Sequence, residues 1–216
     1  MPLQVTIPLQ VEETGVLLRA RELNGYTLGA RDGAIGTVGD VYFDDRTWTV
    51  QALVAHTGSW LSDKLVLIPC TALHPADHST QLIPVDLTIA QVIHSATPQT
   101  GPLAQRPPHL RAAYPMSGCH IHAQDGDLGH VEEFVIDDES WTIRYLVVDT
   151  RNWWPGKRVL LSPQWVERVN WSDWKISVAL ARSAIEQAPE YESDAPITRD
   201  YEAALYRHYG REQYWR

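Results

Sequence analysis

Two stretches of this 216-residue chain carry nearly the same sequence 93 residues apart, and no gap is needed to align them. The first runs from Gly36 to Val50 (GTVGDVYFDDRTWTV) and the second from Gly129 to Ile143 (GHVEEFVIDDESWTI). The same offset continues along the chain and pairs Leu53 with Leu146, Thr57 with Thr150, Trp60 with Trp153, Lys64 with Lys157 and Leu87 with Leu180. A long fixed period is typical of two similar folded units. The repeated residues are apolar and turn-forming, so they constrain architecture more than function.

The charge balance limits the classes of partner. The chain has 27 acidic and 18 basic residues, a formal net charge of −9. This balance argues against nonspecific nucleic-acid binding, which needs a positive surface to displace counterions, and against adsorption to an anionic membrane. The longest apolar runs, such as Leu65–Ile68, are far shorter than the roughly 20 residues of a membrane span. We therefore expect no direct membrane insertion.

The beginning of the sequence and its cysteines bear on the compartment. The first residues lack the basic start and apolar core of a signal peptide. Cys70 and Cys119 do not occupy equivalent repeat positions, which argues against a disulfide framework. These features predict a cytoplasmic protein.

The apolar pattern of the first repeat predicts short strands separated by turns. The expected strands are 26–30, 37–44, 48–56 and 64–68, and residues 85–95 are expected to form a helix capped by Asp86 or Thr88. Val38, Val41 and Phe43 do not alternate cleanly, which indicates a bulge or burial on both faces. Several short strands at close spacing predict an all-β fold, a small barrel or a sandwich.

The chain divides into five predicted parts. Residues 1–16 form an N-terminal arm, in which strict alternation over residues 3–11 predicts a strand or, alternatively, an extended tail. The two repeats occupy 17–95 and 117–188, joined by a proline-rich linker at 96–116. Residues 189–216 form an aromatic tail, in which Tyr201, Leu205 and Tyr209 lie on one helical stripe. Because disordered segments are poor in aromatics, we expect this tail to dock, either on its own barrels or on a second subunit.

These residues together resemble the PRC-barrel family. The resemblance rests on Gly36-x-Val38-x-Asp40, on Asp44-Asp45-x-x-Trp48-x-Val50, and on their counterparts from Gly129 to Ile143. It is supported by the segment from Asn152 to Pro163 and by the aromatic tail. The family includes the cytoplasmic domain of the photosynthetic reaction-centre H subunit, the C-terminal domain of the ribosome maturation factor, and stand-alone bacterial proteins, which the chain resembles most. The resemblance implies two tandem small β-barrels that bind other proteins, with no family-wide enzymatic activity.

Tryptophans and tyrosines are the best candidates for an interaction surface. Large aromatics in loops usually serve packing or a partner, and tryptophan is a favoured interface anchor. Trp60 and Trp153 share one repeat position and are expected either to lid the barrel ends or to contact a partner. Trp154 matches Leu61 and favours an interface. The candidate protein-interaction residues are Trp60, Trp153, Trp154, Tyr201, Tyr206 and Trp215.

Metal binding and catalysis have weaker support. On a strand, His120 and His122 project to one face and are a minor candidate for a metal site, although no third ligand is apparent. The pairs Asp44-Asp45 and Asp137-Asp138 are expected to form hairpin turns rather than a calcium site. No nucleophile–base pair or phosphate-binding glycine loop is present. We therefore expect no enzymatic activity, no catalytic residues and no cofactor.

The favoured function is a cytosolic, non-enzymatic adaptor that binds a protein partner or itself, with a homodimer as one arrangement. One alternative is a relative of the reaction-centre H subunit that acts on a membrane complex in the photosynthetic light reaction. The other is metal binding through His120 and His122.

Overall fold

A computed structural model describes residues 15–94, 108–150 and 156–215. Its first repeat contains six strands and one helix: β1 (Leu17–Arg19), β2 (Thr27–Ala30), β3 (Gly33–Asp44), β4 (Thr49–His56), β5 (Leu65–Pro69), β6 (Leu82–Pro84) and α1 (Ile89–Ile93). The four strands expected from the sequence are present, and α1 lies within the expected helix. Thr88 caps α1, since its hydroxyl accepts a hydrogen bond from the Gln91 N–H. The predicted strand at residues 3–11 lies outside the described residues.

The second repeat has a similar element order but contains seven strands, not six, among the described residues. It contains β7 (Leu110–Ala112), α2 (Ala113–Met116), β8 (His120–Ala123), β9 (Gly126–Asp137), β10 (Thr142–Asp149), β11 (Arg158–Leu161), β12 (Val166–Asn170), β13 (Lys175–Val178) and α3 (Arg182–Glu186). The bounds of β1, β2, β3, β4 and α1 recur 93 residues later in β7, β8, β9, β10 and α3. Residues 110–116, which the proline-rich composition assigns to the linker, instead form β7 and α2. Because the prolines at 107 and 108 are typical of a linker, the composition does not indicate the short strand that follows them.

The thirteen strands of the described residues belong to one sheet, and the all-β fold is confirmed. The main path runs β12-β13-β8-β9-β10-β4-β3-β2-β6, and the other four strands pair beside it. The two repeats meet where β4 and β10 pair at Thr49 and Thr142. The backbones exchange two hydrogen bonds there, from the Val50 N–H to the Trp141 carbonyl (2.8 Å) and from the Ile143 N–H to the Trp48 carbonyl (2.7 Å).

Bulges explain the irregular apolar pattern of β3. The β3–β4 register shifts between Val38 and Asp40 and again between Tyr42 and Phe43. Each shift resets which side chains face inward, so Val38, Val41 and Phe43 are all buried. The expected bulge is therefore confirmed, and β9 and β10 show register shifts of the same kind.

The apolar side chains of both repeats join in one continuous core. Phe43 of the first repeat packs against Phe134 of the second, with ring centroids 5.4 Å apart. Gly36 allows a close backbone approach, because a Cβ atom there would lie 1.9 Å from the His56 carbonyl oxygen. The core therefore extends across the boundary between the repeats.

The aromatic tail folds back on the second repeat. Helix α4 (Arg199–Tyr209) begins at a Thr198 cap and ends at Gly210, whose φ is 60°. Trp165 lies 4.7 Å from Tyr209 and 5.3 Å from Tyr206, measured between ring centroids. The predicted docking is thus confirmed within one chain. No helix in the described residues is long and apolar enough to cross a membrane.

Candidate protein-binding surface

Four hairpin turns of this fold are built in the same way. Each begins with an Asp or Asn whose side-chain oxygen accepts hydrogen bonds from the N–H groups two and three residues later. Each ends with a residue other than glycine in the left-handed region. The turns start at Asp44, Asp77, Asp137 and Asn170 and end at Trp48 (φ 57°), Gln81 (φ 53°), Trp141 (φ 49°) and Trp174 (φ 53°). The turn role expected for Asp44 and Asp137 is confirmed.

The three tryptophans in these turns differ in burial. Trp48 and Trp141 are 7% and 5% exposed and belong to the core, whereas Trp174 is 40% exposed. A left-handed conformation costs a residue other than glycine roughly 1–2 kcal/mol. Core packing can compensate that cost at Trp48 and Trp141. At Trp174 much of the indole faces solvent, so packing compensates less of that cost. Backbone strain of this kind clusters at functional sites.

Trp171 fixes the surface on which Trp174 rests. Its indole N–H donates to the Asp45 carboxylate, and the Arg111 guanidinium lies 4.7 Å from its ring centroid. The Trp171 and Trp174 rings meet edge to face at 6.3 Å. The Trp171–Trp174 turn therefore presents a rigid aromatic pair beside the boundary of the two repeats.

Trp60 is a second exposed aromatic, at 42% exposure. It lies in the 3₁₀ turn Gly58–Leu61, and its indole N–H donates to the Ile35 carbonyl at 2.7 Å. That hydrogen bond holds the indole against β3, as expected for a residue that covers the end of the barrel. The exposed part of the ring remains accessible to another protein. Trp153 and Trp154 lie outside the described residues.

The predicted interaction residues of the tail serve intramolecular packing. Tyr206 is fully buried and has no surface to offer a partner. Trp215 packs edge to face on Tyr206 at 5.3 Å, and Arg199 lies 4.5 Å from the Trp215 ring centroid. Tyr201 donates to the Pro189 carbonyl and lines a cavity of about 210 Å³. The sequence pattern identifies these aromatics correctly as docking residues, but their docking surface is the second repeat.

A buried carboxylate anchors the tail. Glu202 is 2% exposed and accepts hydrogen bonds from the hydroxyls of Tyr145 (2.7 Å) and Tyr214 (2.9 Å). Arg199 Nη1 lies 2.9 Å from its other oxygen. Burial, and then the Glu202 charge, raise the pKa values of the Tyr145 and Tyr214 hydroxyls above the usual range. Both hydroxyls therefore stay protonated and act as donors.

The cavity beside the tail has balanced charges. A space of about 340 Å³ is lined by both repeats and the tail, including Arg46 and Arg144. Asp44 holds Arg46 at 3.0 Å, and Asp137 holds Arg144 at 2.7 Å. These guanidinium groups are already neutralised, so the cavity gives no charge-based preference for an anion.

The histidines and cysteines show little sign of reactive chemistry. His120 is exposed, and His122 Nδ1 lies 2.7 Å from Asp127 Oδ1. In the described part of the chain, no three His, Cys, Asp or Glu residues are grouped so as to hold a metal ion. Burial raises the pKa of the Cys119 thiol to about 12, and it also raises that of Cys70. Neither thiol is poised as a nucleophile.

The comparison with known families agrees with the architecture. Residues 16–90 match the family model for the PRC-barrel domain. The chain carries a PRC-barrel domain. The match spans the first repeat, and the bounds of β1 to β4 and of α1 recur 93 residues later. Among curated proteins, none matches this chain.

Proposed function

We propose that this PRC-barrel protein is a cytosolic, non-enzymatic adaptor that binds another protein through the Trp171–Trp174 turn, with Trp60 as a second contact. The observation that carries the proposal is Trp174, an exposed indole in a strained backbone conformation. A large aromatic side chain that is 40% exposed is an efficient anchor for another protein, which supports a contact outside the chain.

The chemistry of the surface supports the same function. Trp171 is held by Asp45 and covered on one side by Arg111, so the aromatic pair is rigid before binding. A rigid ring loses little conformational entropy on binding, which makes it an efficient anchor. Tryptophan anchors at interfaces typically contribute 2 kcal/mol or more. The partner's matching feature would be an apolar or aromatic pocket.

An affinity pull-down tests the proposal. Cells of the source organism would supply the partner, with the wild-type chain and the variant Trp174→Gln as baits. Glutamine is the residue at the equivalent position 81 of the first repeat, where the backbone has the same conformation. A protein captured by the wild type should bind the variant about 30-fold more weakly, which corresponds to about 2 kcal/mol.

Ser172→Ala is the matched control. Ser172 is exposed in the same turn and carries no ring. Binding of the captured protein to this variant should match that of the wild type. Equal capture by wild type and Trp174→Gln, with both variants folded, would show that this turn is not the binding surface.

A further inference from the structure

The first strands of the two repeats are exchanged. Strand β1 precedes the first repeat in sequence but pairs with β9 of the second, where Leu17 lies opposite Asp137. Strand β7 precedes the second repeat but pairs with β3 of the first, where Leu110 lies opposite Asp44. The two pairings have the same register, shifted by 93 residues on each strand. Each repeat therefore receives a strand from the other.

Acidic side chains contact the turn that follows each exchanged strand. After β7, the Tyr114 N–H donates to Asp40 on β3 at 3.3 Å. After β1, Arg21 lies 3.1 Å from Glu133, the residue of β9 equivalent to Asp40. Burial raises the pKa values of both carboxyl groups. The 3₁₀ turn Ala20–Leu23 after β1 and the helix α2 after β7 thus each contact an acidic residue of the other repeat.

Two further buried residues, the clasp aspartates Asp45 and Asp138, hold the repeats together. The Asp45 carboxylate is 4% exposed and lies 3.0 Å from the His109 ring and 2.9 Å from Arg111, in addition to its bond with Trp171. All three of these partners belong to the second half of the chain.

The other clasp aspartate has the reciprocal arrangement. Asp138 is 4% exposed and accepts a hydrogen bond from the Val16 N–H at 2.8 Å. The Nε2 atom of His78 lies 3.0 Å from its second oxygen. Both partners belong to the first half. His78 is the counterpart of Trp171 at the 93-residue offset, so the two clasps are equivalent.

We infer that the two halves of this chain are mutual binding partners, joined as the subunits of a twofold dimer would be. Each barrel is completed by a strand, a capped turn and a clasp that the other half supplies. The backbone hydrogen bonds at Trp48 and Trp141 add the symmetric centre of the same interface. The covalent connection through residues 95–107 is therefore not needed to hold the halves together, and within the described residues each half's copy of this interface is occupied by the other half.

Cutting the connection in the full-length protein tests the inference. A protease recognition sequence is placed between residues 97 and 105, and the purified chain is cleaved. The two fragments should co-elute with the mass of the uncut monomer at micromolar concentration and unfold in a single transition. The intact chain should be monomeric at the same concentration. Fragments that separate, or an intact chain that dimerises, would overturn the inference.

The clasp is tested in the cleaved protein. Asp45→Ala removes the acceptor of His109, Arg111 and Trp171. We expect the dissociation constant of the two fragments to rise at least about 30-fold. Asp44→Ala is the matched control, because the hydrogen bonds of the Asp44 side chain go to Arg46 and Thr47 of its own turn. It should weaken the turn but leave fragment affinity nearly unchanged. Equal effects of the two variants would refute the clasp.

A milder variant keeps the test decisive if Asp45→Ala does not fold. His78→Ala removes one partner of Asp138 from a half-exposed position and leaves the Val16 hydrogen bond in place. It should still weaken fragment association measurably. Unchanged affinity in this variant would show that the contact between His78 and Asp138 does not join the halves.

Discussion

Replacement of Trp141 by alanine should lower the free energy of unfolding by about 3 kcal/mol. Trp141 is 5% exposed in the shared core, and removal of a buried tryptophan typically costs about 3–5 kcal/mol. Its indole Nε1 is buried and has no hydrogen-bond partner among the described residues. An unsatisfied buried donor already costs the native protein about 1–3 kcal/mol. Because Trp141→Ala also removes the unpaired N–H, the native protein no longer bears that cost. The decrease in unfolding free energy should therefore lie at the low end of the 3–5 kcal/mol range, at about 3 kcal/mol.

Denaturant titration at pH 7 and thermal unfolding measure this effect. For a chain of this length, 1 kcal/mol corresponds to about 2–4 °C, so Tm should fall by about 6–12 °C. Trp141→Phe separates the two contributions, because it keeps most of the ring and deletes the unpaired N–H. That variant should cost less than about 1.5 kcal/mol.

Two results would refute the reasoning. If Trp141→Ala is within 1 kcal/mol of wild type, the indole is not part of the core. If Trp141→Phe is as destabilising as Trp141→Ala, the N–H has a partner whose loss dominates.

Three further predictions follow from the turns and the tail. Gln81→Gly should raise the free energy of unfolding by about 0.5–1 kcal/mol in a denaturant titration, because Gln81 is exposed at φ 53° and glycine relieves the strain; a loss would contradict it. The Arg46 side-chain hydrogen bond lowers the pKa of Asp44 from 3.8 to about 2, so its stabilisation is present above pH 4 and is lost as pH falls towards 2. Asp44→Asn should therefore flatten the pH dependence of unfolding in that window, and an unchanged slope would contradict this. Deletion of residues 196–216 should lower Tm while the solution mass falls only by that of the segment, since α4 docks on its own chain; a halved mass would indicate docking between subunits.

Features set by neighbouring residues could be predicted from the sequence. The Asp44 and Asp137 turns depend on side-chain oxygens that reach N–H groups only two and three residues away. The Thr88 cap of α1 is equally local. The long strands β3 and β4 are rich in β-branched and aromatic residues, so the sequence still predicts both strands although two bulges interrupt their alternation.

The strand exchange could not be predicted in the same way. Strands β1 and β7 have three residues each, which is too short to show a period of two. Their partners lie far along the chain, and no local pattern specifies which of two equivalent edges a short strand will join. The prolines before β7 also favour a linker on composition alone.

The candidate surface could be predicted only in part. The spacing from Asp or Asn to Trp recurs at Asp44, Asp137 and Asn170, so the sequence contains the signal for three equivalent turns. Which indole is exposed depends on what packs over each turn. Trp48 and Trp141 meet the other repeat at the centre of the sheet, whereas Trp174 lies in the hairpin at the β12 end of the strand order. Only the assembled sheet separates these environments.

A sequence difference between the repeats explains why the tail packs on the second repeat only. At the position where the first repeat has Ala52, the second has Tyr145, whose ring is fully buried. A buried hydroxyl without a hydrogen bond lowers stability, and Glu202 of α4 provides the acceptor for the Tyr145 hydroxyl. The Glu202 charge in turn needs Arg199 and Tyr214 from the same tail. Tyr145 and α4 therefore depend on each other, whereas alanine at position 52 places no such demand on the first repeat. This difference explains why the tail's aromatics pack on the second barrel and not on the first.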